Sequence, residues 1–169
     1  MNRLMAGCAL GMLLVGCADP CEELGAPSLE IGTSDANGVA FETVAGDDTI
    51  ALHTGLQGGA HVFLHARIAG ICPTTARLDR RVVDARTADL VSLNRGPVDF
   101  VSLDDGRFEL AGAAPMTLCP DLAGRAVEEA SLRFVVSVED AEGRQADAQV
   151  PFTASCEGDA TCEAFCAAP

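Results

Sequence analysis

The sequence predicts an all-β protein: an antiparallel β-sandwich held by disulfides. Apolar and polar residues alternate in several short runs, and this period of two is typical of strands with one buried face. Clusters of Gly, Pro, Asp and Asn separate the runs at intervals of about eight to twelve residues, which favours a sandwich. No long amphipathic helix pattern interrupts these runs. The chain also contains several cysteines, which is typical of an exported domain stabilised by disulfides.

The first 16 residues have the composition of an export signal. Arg3 supplies the positive start, Leu4–Val15 form an apolar run too short to span a bilayer, and Gly16 is small. We therefore expect a signal-peptide helix over residues 1–16.

The end of this segment, Leu14-Val15-Gly16-Cys17, resembles the lipobox of bacterial lipoproteins. The resemblance implies cleavage before Cys17, a lipid on its sulfur and membrane attachment through that lipid. Ala18 resembles the residue that accompanies sorting to the outer membrane. Residues 17–27 then form the lipidated cysteine and a short tether. The alternative is an ordinary secretory signal, with Cys17 in a disulfide.

The stretch Gly58–Cys72 predicts the central strand, because it has the longest alternation in the chain. One side of this strand is predicted to be buried and the other to carry His61, Phe63, His65 and Arg67. Two later strands, Leu132–Val138 and Ala146–Phe152, flank a turn at Glu142-Gly143. The predicted core comprises Val62, Leu64, Ala66, Ile68, Phe134, Val136, Val150 and Phe152.

The remaining apolar runs predict shorter strands. Asp105-Gly106 predicts a hairpin turn between two of them. Pro151 predicts that its strand is an edge or ends there, because proline donates no backbone hydrogen bond. Leu122–Ala130 has the composition of a helical turn. The shorter strands are Leu29–Ile31, Val39–Val44, Thr49–His53, Leu78–Asp84, Leu90–Leu93, Val98–Leu103 and Arg107–Leu110.

Two segments, GLQGGAHVF (Gly55–Phe63) and VEDAEGRQA (Val138–Ala146), resemble parts of lipoproteins of GC-rich Gram-negative bacteria. Those lipoproteins carry an immunoglobulin-like domain of unknown activity. The resemblance implies an immunoglobulin-like sandwich over residues 28–156, followed by a cysteine-containing tail over residues 157–169. The chain departs from antibody-type domains because it contains no tryptophan.

Six cysteines remain once Cys8 leaves with the signal and Cys17 is lipidated. An even number in an exported chain predicts that all six are paired, although six cysteines allow 15 pairings. Our hypothesis pairs Cys72 with Cys119, since each precedes a proline at the end of an apolar run, and joins Cys21 to the C-terminal cysteines. The alternative is a zinc site in that cluster, which comprises Cys156, Cys162 and Cys166.

All three histidines lie between His53 and His65. If Gly55–Gly59 form a hairpin loop centred on Gln57, His53 and His61 face each other with Cβ atoms about 5 Å apart. The pair, with a carboxylate from Asp47 or Asp48, would suit Zn or Cu. The alternative is two exposed strand histidines.

Composition narrows the classes of function. The formal net charge is −14, which disfavours nucleic acid as a partner. The chain has no lysine, which excludes Schiff-base chemistry on a lysine. Neither of the hydrolase motifs G-x-S-x-G and H-E-x-x-H occurs. The acidic pairs are typical of turns, with Ca²⁺ binding as the alternative. These are Asp47-Asp48, Asp104-Asp105, Glu128-Glu129 and Glu139-Asp140.

We therefore expect a non-enzymatic, lipid-anchored envelope protein without a cofactor, acting as a protein-interaction or structural module. The expected binding face is the exposed side of the central strand, namely His61, Phe63, His65 and Arg67. The alternative is a periplasmic Cu- or Zn-binding lipoprotein that uses His53 and His61.

Overall fold

Short alternating runs form twelve strands in the part of the chain that the computed structural model describes. This part comprises residues 21, 22, 24–35, 40–56, 58–121 and 123–167. The predicted signal helix and Cys17 lie outside it, as do Val39, Gln57 and Leu122. No helix among the described residues is long and apolar enough to cross a membrane. The elements are β1 (Ser28–Thr33), β2 (Glu42–Thr43), β3 (Asp48–Ala51), β4 (His53–Thr54), β5 (Ala60–Ala69), β6 (Arg77–Asp84), β7 (Leu90–Pro97), β8 (Phe100–Ser102), β9 (Phe108–Leu110), β10 (Ala114–Cys119), β11 (Ser131–Glu139), β12 (Gln145–Ser155) and α1 (Ala160–Cys166).

The first sheet is built around β5, as the sequence predicts. Its order is β2-β1-β5-β9-β8, and β4 and β10 also pair with β5. The alternation of β5 sends Val62, Leu64, Ala66 and Ile68 inwards, where each is at most 1% exposed. This strand therefore supplies the centre of the core.

The second sheet has the order β3-β12-β11-β6-β7 and faces the first across the core. All its pairings are antiparallel except that of β3 with β12. The β11–β12 hairpin stacks Phe134 on Phe152 with ring centroids 4.2 Å apart. The predicted core is confirmed except for Val150, which is only partly buried. Stacked aromatic rings of this kind add to the stability that their burial provides.

Pro151 neither ends β12 nor marks an edge strand. The strand continues to Ser155, and β3 pairs with it from Phe152 onwards. Pro151 lies one residue before that pairing begins, where its missing N–H leaves no hydrogen bond of the β3–β12 ladder unmade.

Several boundaries differ from the sequence prediction. Among the described residues of the Val39–Val44 run, only Glu42–Thr43 pair as a strand, and β10 was not predicted. The described part of Leu122–Ala130 contains turns and no helix. Instead, α1 forms in the C-terminal tail, where the Asp159 carboxylate accepts hydrogen bonds from the first-turn N–H groups.

Three disulfides join the six cysteines of the described chain: Cys21–Cys72, Cys119–Cys166 and Cys156–Cys162. The predicted pairing of Cys72 with Cys119 is wrong. Cys119 lies opposite Ala60 at the start of β5, whereas Cys72 follows the far end of that strand, about 30 Å away. The predicted link from Cys21 to the C-terminal cysteines is also wrong. Cys21 pairs with Cys72 at one end of β5, whereas Cys166 pairs with Cys119 at the other end.

Candidate functional site

The four side chains predicted as a binding face already have partners within the protein. The Arg67 guanidinium contacts the Glu109 carboxylate at 2.7 Å and lies 3.8 Å from the centroid of the Phe41 ring. The Phe63 ring packs against the His53 ring, and His61 Nδ1 lies 3.0 Å from Thr117 Oγ1. This face is therefore largely occupied by intramolecular contacts.

His65 is not exposed: only 2% of it is accessible, beneath the Phe41 ring and beside Glu109. Its inclusion in an exposed face is therefore wrong. Burial holds the pKa of His65 below its usual range and Arg67 acts in the same direction, although the nearby Glu109 opposes the shift. His65 is thus a buried residue on the outer side of the sheet, packed against Phe41.

The predicted juxtaposition of His53 and His61 is confirmed in register, because the two residues pair across β4 and β5. Their side chains make separate contacts: His53 with Phe63 and His61 with Thr117. Among the described residues, no set of three potential metal ligands includes either histidine. Binding of Zn or Cu by this pair stays a prediction.

One set of three potential metal ligands does occur in the described chain: Cys156, Cys162 and Cys166, all buried, with their sulfurs within 4.8 Å of one another. The sulfurs of Cys156 and Cys166 are 3.9 Å apart. All three are engaged in disulfides, so none is the thiolate that zinc requires.

The acidic pairs stabilise turns and loops. Asp48 accepts a hydrogen bond from the Ala45 N–H, and Asp105 accepts one from the Arg107 N–H. Glu128 accepts from the Cys156 N–H, and Asp140 accepts three backbone hydrogen bonds. One acid of each pair thus has a hydrogen-bonding role in a turn or loop.

A cleft of about 700 Å³ opens between β7, an edge strand of the second sheet, and β10 of the first. We call it the β7–β10 cleft. Leu90 and Leu93 of β7 are each about half exposed. Its lining residues are Leu90, Val91, Ser92, Leu93, Asn94, Pro115, Thr117, Pro120, Asp121 and Ala123.

Charges around this cleft are mostly paired. The Asp121 carboxylate binds the Arg125 guanidinium at 2.7 Å, and that guanidinium also donates to the Leu90 carbonyl oxygen at 2.7 Å. The Arg125 guanidinium holds the pKa of Asp121 below its usual range, although burial opposes the shift. Arg125 thus ties the loop after β10 to the start of β7 and fixes one wall of the cleft.

One cation near the cleft forms no ion pair with any acidic residue that the structure describes. Arg80 lies between Leu78 and Val82 on the inner face of β6 and is only 5% exposed. Its Nη2 donates to Asn94 Oδ1 at 2.7 Å, while its Nε has no partner. Arg80 was not predicted as a functional residue, although its position in the alternation of β6 indicates the buried face.

Comparison with known proteins found no family that matches the chain and no curated protein that matches it.

Proposed function

We propose that this protein is a lipid-anchored, non-enzymatic module of the bacterial outer membrane that binds another protein at the β7–β10 cleft. The observation that carries the proposal is an edge strand with two half-exposed leucines beside a large cleft. Large exposed apolar residues at a concave surface are typical of interaction sites.

The free edge of β7 favours an extended partner. In the described chain β7 pairs only with β6, so its outer N–H and C=O groups are available over most of the strand. A partner segment that adds a strand would gain backbone hydrogen bonds, while Leu90 and Leu93 would provide apolar contacts. Pro97 at the end of β7 limits uncontrolled pairing, as edge prolines do.

We further propose that the sandwich is immunoglobulin-like. The adjacent order β12-β11-β6-β7 resembles the G-F-C-C′ sheet of variable-type immunoglobulin domains. β5 takes the place of strand B, because it precedes β6 in the chain and lies in the other sheet. The parallel β3 is an addition at the edge next to β12.

The disulfide Cys21–Cys72 supports an orientation for the anchored domain. It holds the N-terminal tether at the end of β5 that precedes Cys72. Cys21 is the fourth residue after Cys17, a span of at most about 14 Å. Leu90–Asn94 pair with the Arg80–Val83 half of β6, away from this end, so the cleft faces away from the membrane.

The lipid anchor is tested by metabolic labelling with palmitate. We expect the wild-type protein to be labelled and Cys17→Ser to lose essentially all label, because the thioether bond requires the cysteine sulfur. Cys21→Ser is the matched control and should keep its label. Equal labelling of wild type and Cys17→Ser would contradict the anchor.

The partner site is tested in intact cells with a photo-crosslinking amino acid at Ala123, an exposed residue that lines the cleft. We expect one discrete adduct, whose yield falls at least tenfold when Leu93→Asp places a charge in the apolar contact. The same amino acid at Val101, about half exposed on β8, is the control and should give no such adduct. An adduct unaffected by Leu93→Asp would place the partner elsewhere.

A further inference from the structure

Arg80 is a buried cation whose surroundings are apolar. It follows Leu78 and precedes Val82 on the inward side of β6, and its cross-strand neighbours are Val136 and Asn94. A charged group in such a place is costly unless it is paired and hydrogen-bonded. The chain has 25 acidic residues, yet none of those described forms an ion pair with Arg80.

The hydrogen bonding of Arg80 is incomplete. Its guanidinium makes one described hydrogen bond, to Asn94 Oδ1, and the buried Nε–H has none. Burial alone lowers the pKa of Arg80, with no opposing contribution from a carboxylate. The fold therefore retains an uncompensated positive charge in its interior.

Asn94 connects this charge to the β7–β10 cleft. Its Oδ1 is occupied by Arg80, so its Nδ2 is the group left for the cleft that Asn94 lines. Ser92 lies two residues earlier on the same side of β7 and also lines the cleft, with a hydroxyl that makes no described hydrogen bond. Two hydrogen-bond donors thus lie on one wall of the cleft, and the buried Arg80 is hydrogen-bonded to one of them, Asn94.

We propose that the β7–β10 cleft binds the carboxylate of an acidic side chain on an extended peptide, which is held by Asn94 and Ser92 and compensates, through Asn94, the charge of Arg80. The proposal deepens the proposed function, on which it rests, by naming the chemistry of the partner. Asp121 does not take this role, because Arg125 already pairs with it.

The first test is titration of the ¹⁵N-labelled mature protein with sodium acetate, at constant ionic strength set by sodium chloride. We expect saturable shifts of the Arg80 Nε–H and Asn94 Nδ2 resonances, with half-saturation at millimolar acetate. Sodium phosphate is the second arm, because it offers oxygen acceptors in a different geometry. Shifts no larger than those in chloride alone, or tighter binding of phosphate, would overturn the proposal.

The second test is Asn94→Asp, which supplies the carboxylate from within the chain. We expect it to raise the unfolding midpoint by about 2–6 °C and to abolish the acetate response, because the charge of Arg80 is then paired. Arg80→Met should also abolish the response without lowering the midpoint. Arg81→Met, on the exposed side of the same strand, is the control and should leave the response unchanged.

These outcomes separate the carboxylate site from the proposed function. Acetate binding that depends on Arg80, without any Ala123 crosslink in cells, would support the carboxylate site and refute partner binding at the cleft. A crosslink of equal yield in wild type and Arg80→Met would support partner binding at the cleft and refute recognition of a carboxylate there. A lower midpoint for Asn94→Asp, with an unchanged acetate response, would also overturn the inference.

Discussion

Removal of the Cys119–Cys166 disulfide by Cys119→Ala with Cys166→Ala is expected to lower the free energy of unfolding by about 4 kcal/mol. The two cysteines are 47 residues apart, and in the chain-entropy model a cross-link closing a loop of this length restricts the unfolded chain by that amount. Both cysteines are also buried in the core. Urea denaturation of the mature protein at pH 7 measures the change.

Cys156→Ala with Cys162→Ala is the matched control. It removes the same atoms from a loop with a separation of only six residues, so we expect a smaller loss of about 2 kcal/mol. The pairing itself is read from a non-reduced tryptic digest. The structure predicts linkage of peptide 108–125 to peptide 145–169, and a linkage of 68–77 to 108–125 would contradict it.

Asp140→Ala is expected to lower the free energy of unfolding by about 3 kcal/mol at pH 7. Asp140 is 5% exposed, and its carboxylate accepts hydrogen bonds from the backbone N–H groups of Cys72, Glu142 and Arg144. Two of these close the β11–β12 turn, and the third joins that turn to the segment after β5. Truncation leaves three donors without their acceptor. Urea denaturation again measures the effect, with the exposed Asp104→Ala as the control, for which we expect a change within 0.5 kcal/mol or so.

The effect of Asp140 is expected to depend on pH. Burial opposes ionisation, but the three backbone donors prevail and hold the pKa of Asp140 below its usual range in the folded protein. The stabilisation is therefore full above the ordinary carboxyl pKa of about 3.9 and is lost as the pH falls through the folded value. The difference between wild type and Asp140→Asn should shrink between pH 5 and roughly pH 2. A difference that grows towards low pH would contradict this assignment.

Local patterns in the sequence were sufficient to predict much of the fold. The alternation of Val62, Leu64, Ala66 and Ile68 identified the inner face of β5, because a strand repeats every two residues whatever surrounds it. Gly106 and Gly143 have positive φ in the two turns predicted at those positions. The opposition of His53 and His61 followed from the length of the loop between them.

Helix α1 and strand β10 show where local patterns failed. α1 is only seven residues long, a length at which propensity cannot maintain a helix by itself. It is held by the Asp159 cap and by the burial of Cys162 and Cys166 in the core. β10 contains Pro115 and forms through its pairing with β5, a contact between residues about 50 positions apart.

The sequence by itself determined the class of fold, the buried face of the central strand, the two hairpin turns and an even set of cysteines. These depend on neighbours within a few residues, where backbone geometry is fixed by residue type. Only the tertiary structure decided which cysteines pair, that Phe41 covers His65, and that Arg80 and Asn94 stand beside a cleft between two sheets. Each of these depends on which distant strands become adjacent, and the number of possible arrangements is too large for one-dimensional patterns to resolve.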